Sequence, residues 1–150
     1  MSDGVTGPSR RSAVVRRVIA APPEAVYDEW LDPDALAEFI CPYPSTAGAI
    51  EVDARLGGRL VIEMVDPGQV VRITGEFLEL HRPHRLRFTW NATFGGGFNS
   101  VVTVTFEPHG DGQTLMTIDH AQIPTDWTAD HERGWALIAD QLDRKLTRVA

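Results

Sequence analysis

Trp127-Thr128-Ala129-Asp130-His131-Glu132-Arg133-Gly134-Trp135-Ala136-Leu137-Ile138-Ala139-Asp140-Gln141-Leu142-Asp143-Arg144-Lys145-Leu146 is the stretch on which the fold turns. Trp135, Ile138, Leu142, Leu146 and Val149 recur at the spacing of one helix face, and Trp127 and His131 extend the stripe backwards. Asp130, Arg133, Asp140, Arg144 and Lys145 fall mainly elsewhere on the wheel. The spacing predicts a helix from about Thr128 to Arg148. Roughly 20 residues rise about 30 Å, enough to cross a small sheet. An amphipathic helix of this kind must bury its apolar face, and the residues ahead of it read mostly as strands.

Working back from the helix, the period is two. Leu115 to His120, Val101 to Phe106, Arg85 to Trp90, Val70 to Leu80 and Arg59 to Met64 alternate or carry β-branched runs. Turn residues separate them: Pro108-His109-Gly110-Asp111-Gly112, Gly95-Gly96-Gly97, His81-Arg82-Pro83-His84 and Asp66-Pro67-Gly68. Ile50 to Asp53 leads through Arg55-Leu56-Gly57-Gly58 into the next strand as a hairpin. Ala13 to Ala20 is a first strand, stopped by Pro22-Pro23. Two short helices follow, one with Val26, Tyr27 and Trp30 on a face. The other is capped by Asp32, started by Pro33 and faced with Leu36, Phe39 and Ile40. The order β-α-α, then an antiparallel meander, then a long helix defines an α+β domain. Residues 1–12 are small and polar and read as a flexible tail, and 13–150 as a single domain.

Composition narrows the partners. A formal net charge of −7 disfavours nucleic acid and anionic membrane surfaces. No apolar run approaches a membrane span, and Arg10-Arg11 is not followed by the apolar core of a signal peptide. Cys41 is the only cysteine, which excludes an intrachain disulfide and suits a cytoplasmic setting. The histidines lack clustered thiols or carboxylates, so neither a metal nor a cofactor is expected.

Several blocks, taken in order, carry a family resemblance. They are Pro22-Pro23 with Val26-Tyr27 and Trp30; Asp32-Pro33; Asp53-Ala54-Arg55-Leu56-Gly57-Gly58; Gly75-Glu76-Phe77-Leu78-Glu79; Phe88-Thr89-Trp90; and Gly134-Trp135 with Ile138 and Leu142. From Val14 almost to the C-terminus the chain resembles the AHSA1-like branch (activator of Hsp90 ATPase homologue-like) of the START/Bet v 1-like, or SRPBCC, helix-grip superfamily. It departs where many relatives end the second helix with a tryptophan-rich segment; here Phe39-Ile40-Cys41-Pro42 stands instead. The resemblance implies a curved antiparallel sheet of about six or seven strands wrapped around the C-terminal helix, often with a cavity beneath it. It implies as occupant an apolar or aromatic small molecule. Related helix-grip proteins also include polyketide cyclases and aromatases, and a co-chaperone whose further domain does not fit into 150 residues.

Alternation assigns the inward rows Leu60, Ile62, Met64; Leu86, Phe88, Trp90; Val102, Val104, Phe106; and Met116, Ile118, His120. Phe77 joins them if Val71, Ile73 and Gly75 face in, although Leu78 and Leu80 favour the other phase and Gly75 suits a bulge. These rows form either a closed core or the wall of a cavity. In the second case Trp90 and Trp135 border it from opposite sides. The candidate ligand-binding residues are Met64, Phe77, Phe88, Trp90, Phe98, His120, Trp135 and Ile138.

His120 is either a satisfied strand-end histidine or a donor or general base facing the cavity, where a cyclase-like or hydrolytic enzyme would use it. No residue is assigned as catalytic. His131 reads as a partly exposed packing residue, and Cys41 as a structural thiol. Asp53 and Arg55 form a brace for their hairpin or, alternatively, Arg55 anchors an acidic ligand. Phe94 and Phe98 flank the glycine hairpin, which can gate a cavity mouth. A protein-interaction module, with a filled core and an exposed apolar patch, is the third reading. A monomer and a homodimer are both compatible with the sequence.

Overall fold

The computed structural model describes the backbone of residues 10–92 and 98–148, and the side chains of 11–92 and 99–147. The Gly95-Gly96-Gly97 loop, the Phe94 and Phe98 side chains and Val149 therefore lie outside the described residues. Seven strands form one antiparallel sheet: β1 (Arg10–Ile19), β2 (Thr46–Val52), β3 (Arg59–Asp66), β4 (Gln69–His81), β5 (Arg85–Ala92), β6 (Phe98–Pro108) and β7 (Thr114–Pro124). Their order is β1-β7-β6-β5-β4-β3-β2, a meander completed by β1 on the edge of β7. Helices α1 (Pro23–Glu29) and α2 (Pro33–Ala37) follow β1, and α3 (Thr128–Arg148) closes the described chain. No helix among the described residues is long and apolar enough to cross a membrane.

Local chemistry explains the element ends. Asp32 Oδ1 accepts the backbone N–H groups of Asp34 and Ala35, an N-cap ahead of Pro33. Gly57 turns the β2–β3 connection at φ +77°, and a side chain on Gly58 would collide with the Asp53 carbonyl. Arg55 braces that turn through Asp53, Nε to Oδ2 at 2.8 Å. Glu63 and Glu79 point outward, Glu63 to Arg72 and Ala49, and Glu79 to Arg85 and Arg87.

Several boundaries and two details differ from the sequence pattern: β6 begins at Phe98 rather than Val101, and α2 ends at Ala37, so Phe39 and Ile40 follow the helix instead of lying on its face. β1 begins at Arg10, because Arg10 and Arg11 pair with Pro124 and Ile123. β2 begins at Thr46, and β7 continues to Pro124. Trp127 belongs to a short 3-10 turn (Thr125–Trp127) that precedes α3 rather than to its stripe. The bulge in β4 sits at Leu78, not at Gly75: pairing shifts between Phe77 and Glu79. That extra residue puts Phe77 and Leu80 on the same side and explains why the sequence showed two phases. Gly75 has a separate reason, since a Cβ there would lie 2.1 Å from the Thr89 carbonyl oxygen.

The inward rows meet α1, α2 and α3 in one core. Helix α3 runs closest to β1 and β7. Polar clasps hold its second half. Arg17 reaches Asp140 and Asp143 at 2.9 Å each, and the Ala20 N–H donates to Asp143. Gln141 donates to the Phe39 and Cys41 carbonyls and accepts the Tyr43 N–H. Lys145 meets Glu29 at 2.5 Å and Glu38 at 2.8 Å. Burial pulls the Lys145 ammonium down, but the two carboxylates outweigh it and leave its pKa raised.

Candidate functional site

Because α3 is drawn toward β1, its first turns stand away from β3 and β4, and a cleft of about 240 Å³ lies between them. Met64, Val71, Ile73 and Trp90 form the sheet wall, and Gly134, Trp135 and Ile138 the helix wall. Pro42 and Ser45 close one side, while Asp66, Asp130 and His131 are the ionisable groups of its lining. Met64 and Val71 are directly paired across β3 and β4, so the apolar floor follows from strand register.

Of the residues the sequence singled out, Met64, Trp90, Trp135 and Ile138 are brought together in this cleft. Phe77 and Phe88 lie one layer deeper, with Trp30, Leu36, Ile40, Leu60 and Ile62 around a void of only about 10 Å³. Trp90 and Trp135 do not face each other across a gap: their rings touch, with centroids 5.1 Å apart. Trp30 also stacks on Trp135, at 6.2 Å, and Phe88 contacts both Trp30 and Trp90. This aromatic block fills the space under the middle of α3 and leaves the opening at its N-terminal end.

His120 lies behind that block, fully buried. The Trp135 indole N–H donates to its Nδ1 at 3.0 Å. An indole can only donate, so Nδ1 carries no proton and the neutral ring is protonated at Nε2. Nε2–H therefore donates to Ser100 Oγ at 2.7 Å, and Ser100 donates onward to the Trp90 carbonyl at 2.8 Å. Burial, with a further push from His131, lowers the His120 pKa to about 3. Both nitrogens are engaged, Nδ1 with the Trp135 indole and Nε2 with Ser100, which in turn bonds the Trp90 main chain. As a base for a molecule in the cleft, His120 has neither exposure nor a spare lone pair.

The other candidates fall outside the cleft or have structural partners. Arg55 is bound to Asp53 in its turn. Cys41 is buried, and burial together with Asp66 pushes its thiol up to about 11, which keeps it protonated and inert. His131 lines the mouth and donates Nδ1–H to the Trp127 carbonyl at 2.9 Å. No metal-binding group of three or more His, Cys, Asp or Glu side chains occurs among the described residues.

Sequence reasoning missed Val71, Ile73, Pro42, Ser45, Asp66, Asp130 and Gly134 as wall residues, and read His131 as a packing residue only. Val71 and Ile73 were readable once the β4 phase was known. Ser100 also had a signal, since it continues the inward row of Val102, Val104 and Phe106 with a polar residue. The loop residues had none.

Comparison with known proteins agrees with this architecture. Residues 20–147 match the family model described as Activator of Hsp90 ATPase homolog 1-like protein. Protein CV1439 from Chromobacterium violaceum is 31% identical, with a TM-score of 0.80 over 89% of this chain and 95% of that one. An AHSA1 protein from Silicibacter pomeroyi is 25% identical, with a TM-score of 0.81 over 93% and 99%. Protein MLL2253 from Mesorhizobium loti is also 25% identical, with a TM-score of 0.77 over 93% and 99%. No curated protein matches. With the family match spanning both short helices, six of the seven strands and nearly all of α3, the chain belongs to the Activator of Hsp90 ATPase homolog 1-like family.

Proposed function

We propose that this domain binds an apolar or aromatic small molecule in the cleft between β3–β4 and the N-terminal half of α3. The observation that carries the reading is the cleft itself, about 240 Å³ of space walled by Met64, Val71, Ile73, Trp90, Trp135 and Ile138. Ligand pockets of drug-sized molecules run from roughly 300 Å³ upward, so this one suits a one- or two-ring compound better than a steroid. Two tryptophan edges offer ring contacts in addition to area burial.

The enzyme alternative built on His120 loses support from the same geometry, since His120 acts on the wall and not on the ligand. For an interaction module, the large exposed hydrophobics would need to gather. Among the described residues these are Val18, Tyr43, Leu56, Val70, Leu78 and Leu137, which lie on β1, β4, α3 and two connections.

Gly134 supplies the test. It lines the cleft, and a Cβ built on it meets nothing within 4 Å. Gly134→Phe should fill the mouth without disturbing the core. A neutral naphthalene probe titrated into wild-type protein should change tryptophan and probe fluorescence, and the variant should abolish the change while keeping the wild-type thermal midpoint. Equal binding by a folded Gly134→Phe variant would place the ligand elsewhere.

A further inference from the structure

The carboxylates of the cleft lining are not matched by any lysine or arginine in it. Asp66 at the end of β3 and Asp130 in the first turn of α3 flank the cleft from the sheet and helix sides. Asp130 is paired along the helix with Arg133. Asp66 has a different environment: its Oδ1 accepts the Ser45 hydroxyl at 2.5 Å, and no cationic side chain among the described residues pairs with it. A half-buried carboxylate at the rim of an apolar cavity, held by a neutral donor, leaves its charge unanswered. The chain as a whole carries −7, which adds to the same field.

We infer that the molecule held in this cleft is a cation, an aromatic or apolar body carrying an amine whose ammonium meets the Asp66 carboxylate. The inference rests on the cleft reading above and adds its charge class. An ammonium at Asp66 would gain a charge-assisted hydrogen bond, while its ring lies against Met64, Trp90 and Trp135. A carboxylate-bearing ligand of the same shape would meet repulsion from Asp66 with no lysine or arginine in the wall to offset it. The pair is partly exposed, so the preference is modest, about fivefold over a neutral analogue.

Three probes of one shape decide it: 1-naphthylmethylamine, 1-naphthalenemethanol and 1-naphthoate, each titrated at neutral pH against wild-type protein and Asp66→Asn. The asparagine keeps an acceptor for Ser45 and so preserves the local fold. The amine should bind tightest and the carboxylate weakest. Asp66→Asn should erase the amine's advantage over the alcohol, and added salt should shrink the gap between the charged probes. Equal affinities for all three, unaltered by Asp66→Asn, would overturn the charge assignment and leave the cleft reading standing. Failure of all three to bind would overturn both.

Discussion

Protonating His120 should loosen the whole aromatic block, at a cost set by its burial and by the nearby His131. The ring is buried, its Nδ1 holds the Trp135 N–H, and its pKa is lowered from 6.5 to about 3. An unfolded chain takes up this proton near pH 6.5, whereas the folded chain refuses it until pH approaches 3. The contribution to stability is therefore complete above about pH 6.5 and is lost progressively as pH falls toward about 3. Over the full span the loss is on the order of 5 kcal/mol, and from about pH 7.5 to about pH 5 it is about 2 kcal/mol. Asp28, Glu63 and Glu79 are also held below their ordinary pKa values by hydrogen bonds from Arg82, from Ala49 with Arg72, and from Arg85. Their losses set in below about pH 4.5, outside the upper window. Urea unfolding of wild-type protein and His120→Gln across that window isolates the effect as a difference of slopes. The wild-type slope should be steeper, and the ring resonances of His120 should not titrate between about pH 5 and pH 8. Parallel slopes, or a His120 resonance titrating near pH 6.5, would refute the reasoning.

Trp135→Ala removes a buried ring and leaves His120 Nδ1 without its donor, so thermal or urea unfolding should show a loss of about 3–5 kcal/mol. Near-wild-type stability would mean that α3 is not docked through this ring. Gly134→Ala should raise stability by up to about 1 kcal/mol, because Gly134 lies inside α3 and the added methyl meets nothing within 4 Å. A drop in urea midpoint would show that the cleft wall at Gly134 is tighter than the geometry gives.

Fold and site were unequally legible in the sequence. Helix α3 and the inward rows follow from period, and period is local. The Asp32 cap and the glycine turn at Gly57 follow from the chemistry of single residues. The cleft has another origin. Its floor needs the register of β3 on β4, which the bulge at Leu78 hides behind two competing phases. Its rim needs Pro42, Ser45 and Asp66, placed by connections that carry no periodic signal. His120 could be picked out as a polar residue ending an apolar row. Its partners lie 20 residues back, at Ser100, and 15 residues on, at Trp135, so its neutrality and its orientation belong to tertiary structure.

The position of the cleft follows from how the two halves of α3 are held. Charged and amide clasps at Asp140, Gln141, Asp143 and Lys145 pull the second half against β1 and the α2 connection. The first half reaches the sheet through Trp135, whose indole is fixed by a buried neutral histidine rather than by an ion pair. A charged partner there would face the desolvation cost of a buried ion, and an apolar one would leave the indole N–H unsatisfied. The neutral Trp135–His120–Ser100 chain avoids both, and it ends on the Trp90 carbonyl, so it ties the Trp135 indole to the main chain of β5. What remains between the two tryptophans and the β3–β4 hairpin is space that no clasp closes. The same asymmetry that seals the core under the middle of the helix therefore leaves the room at its N-terminal end.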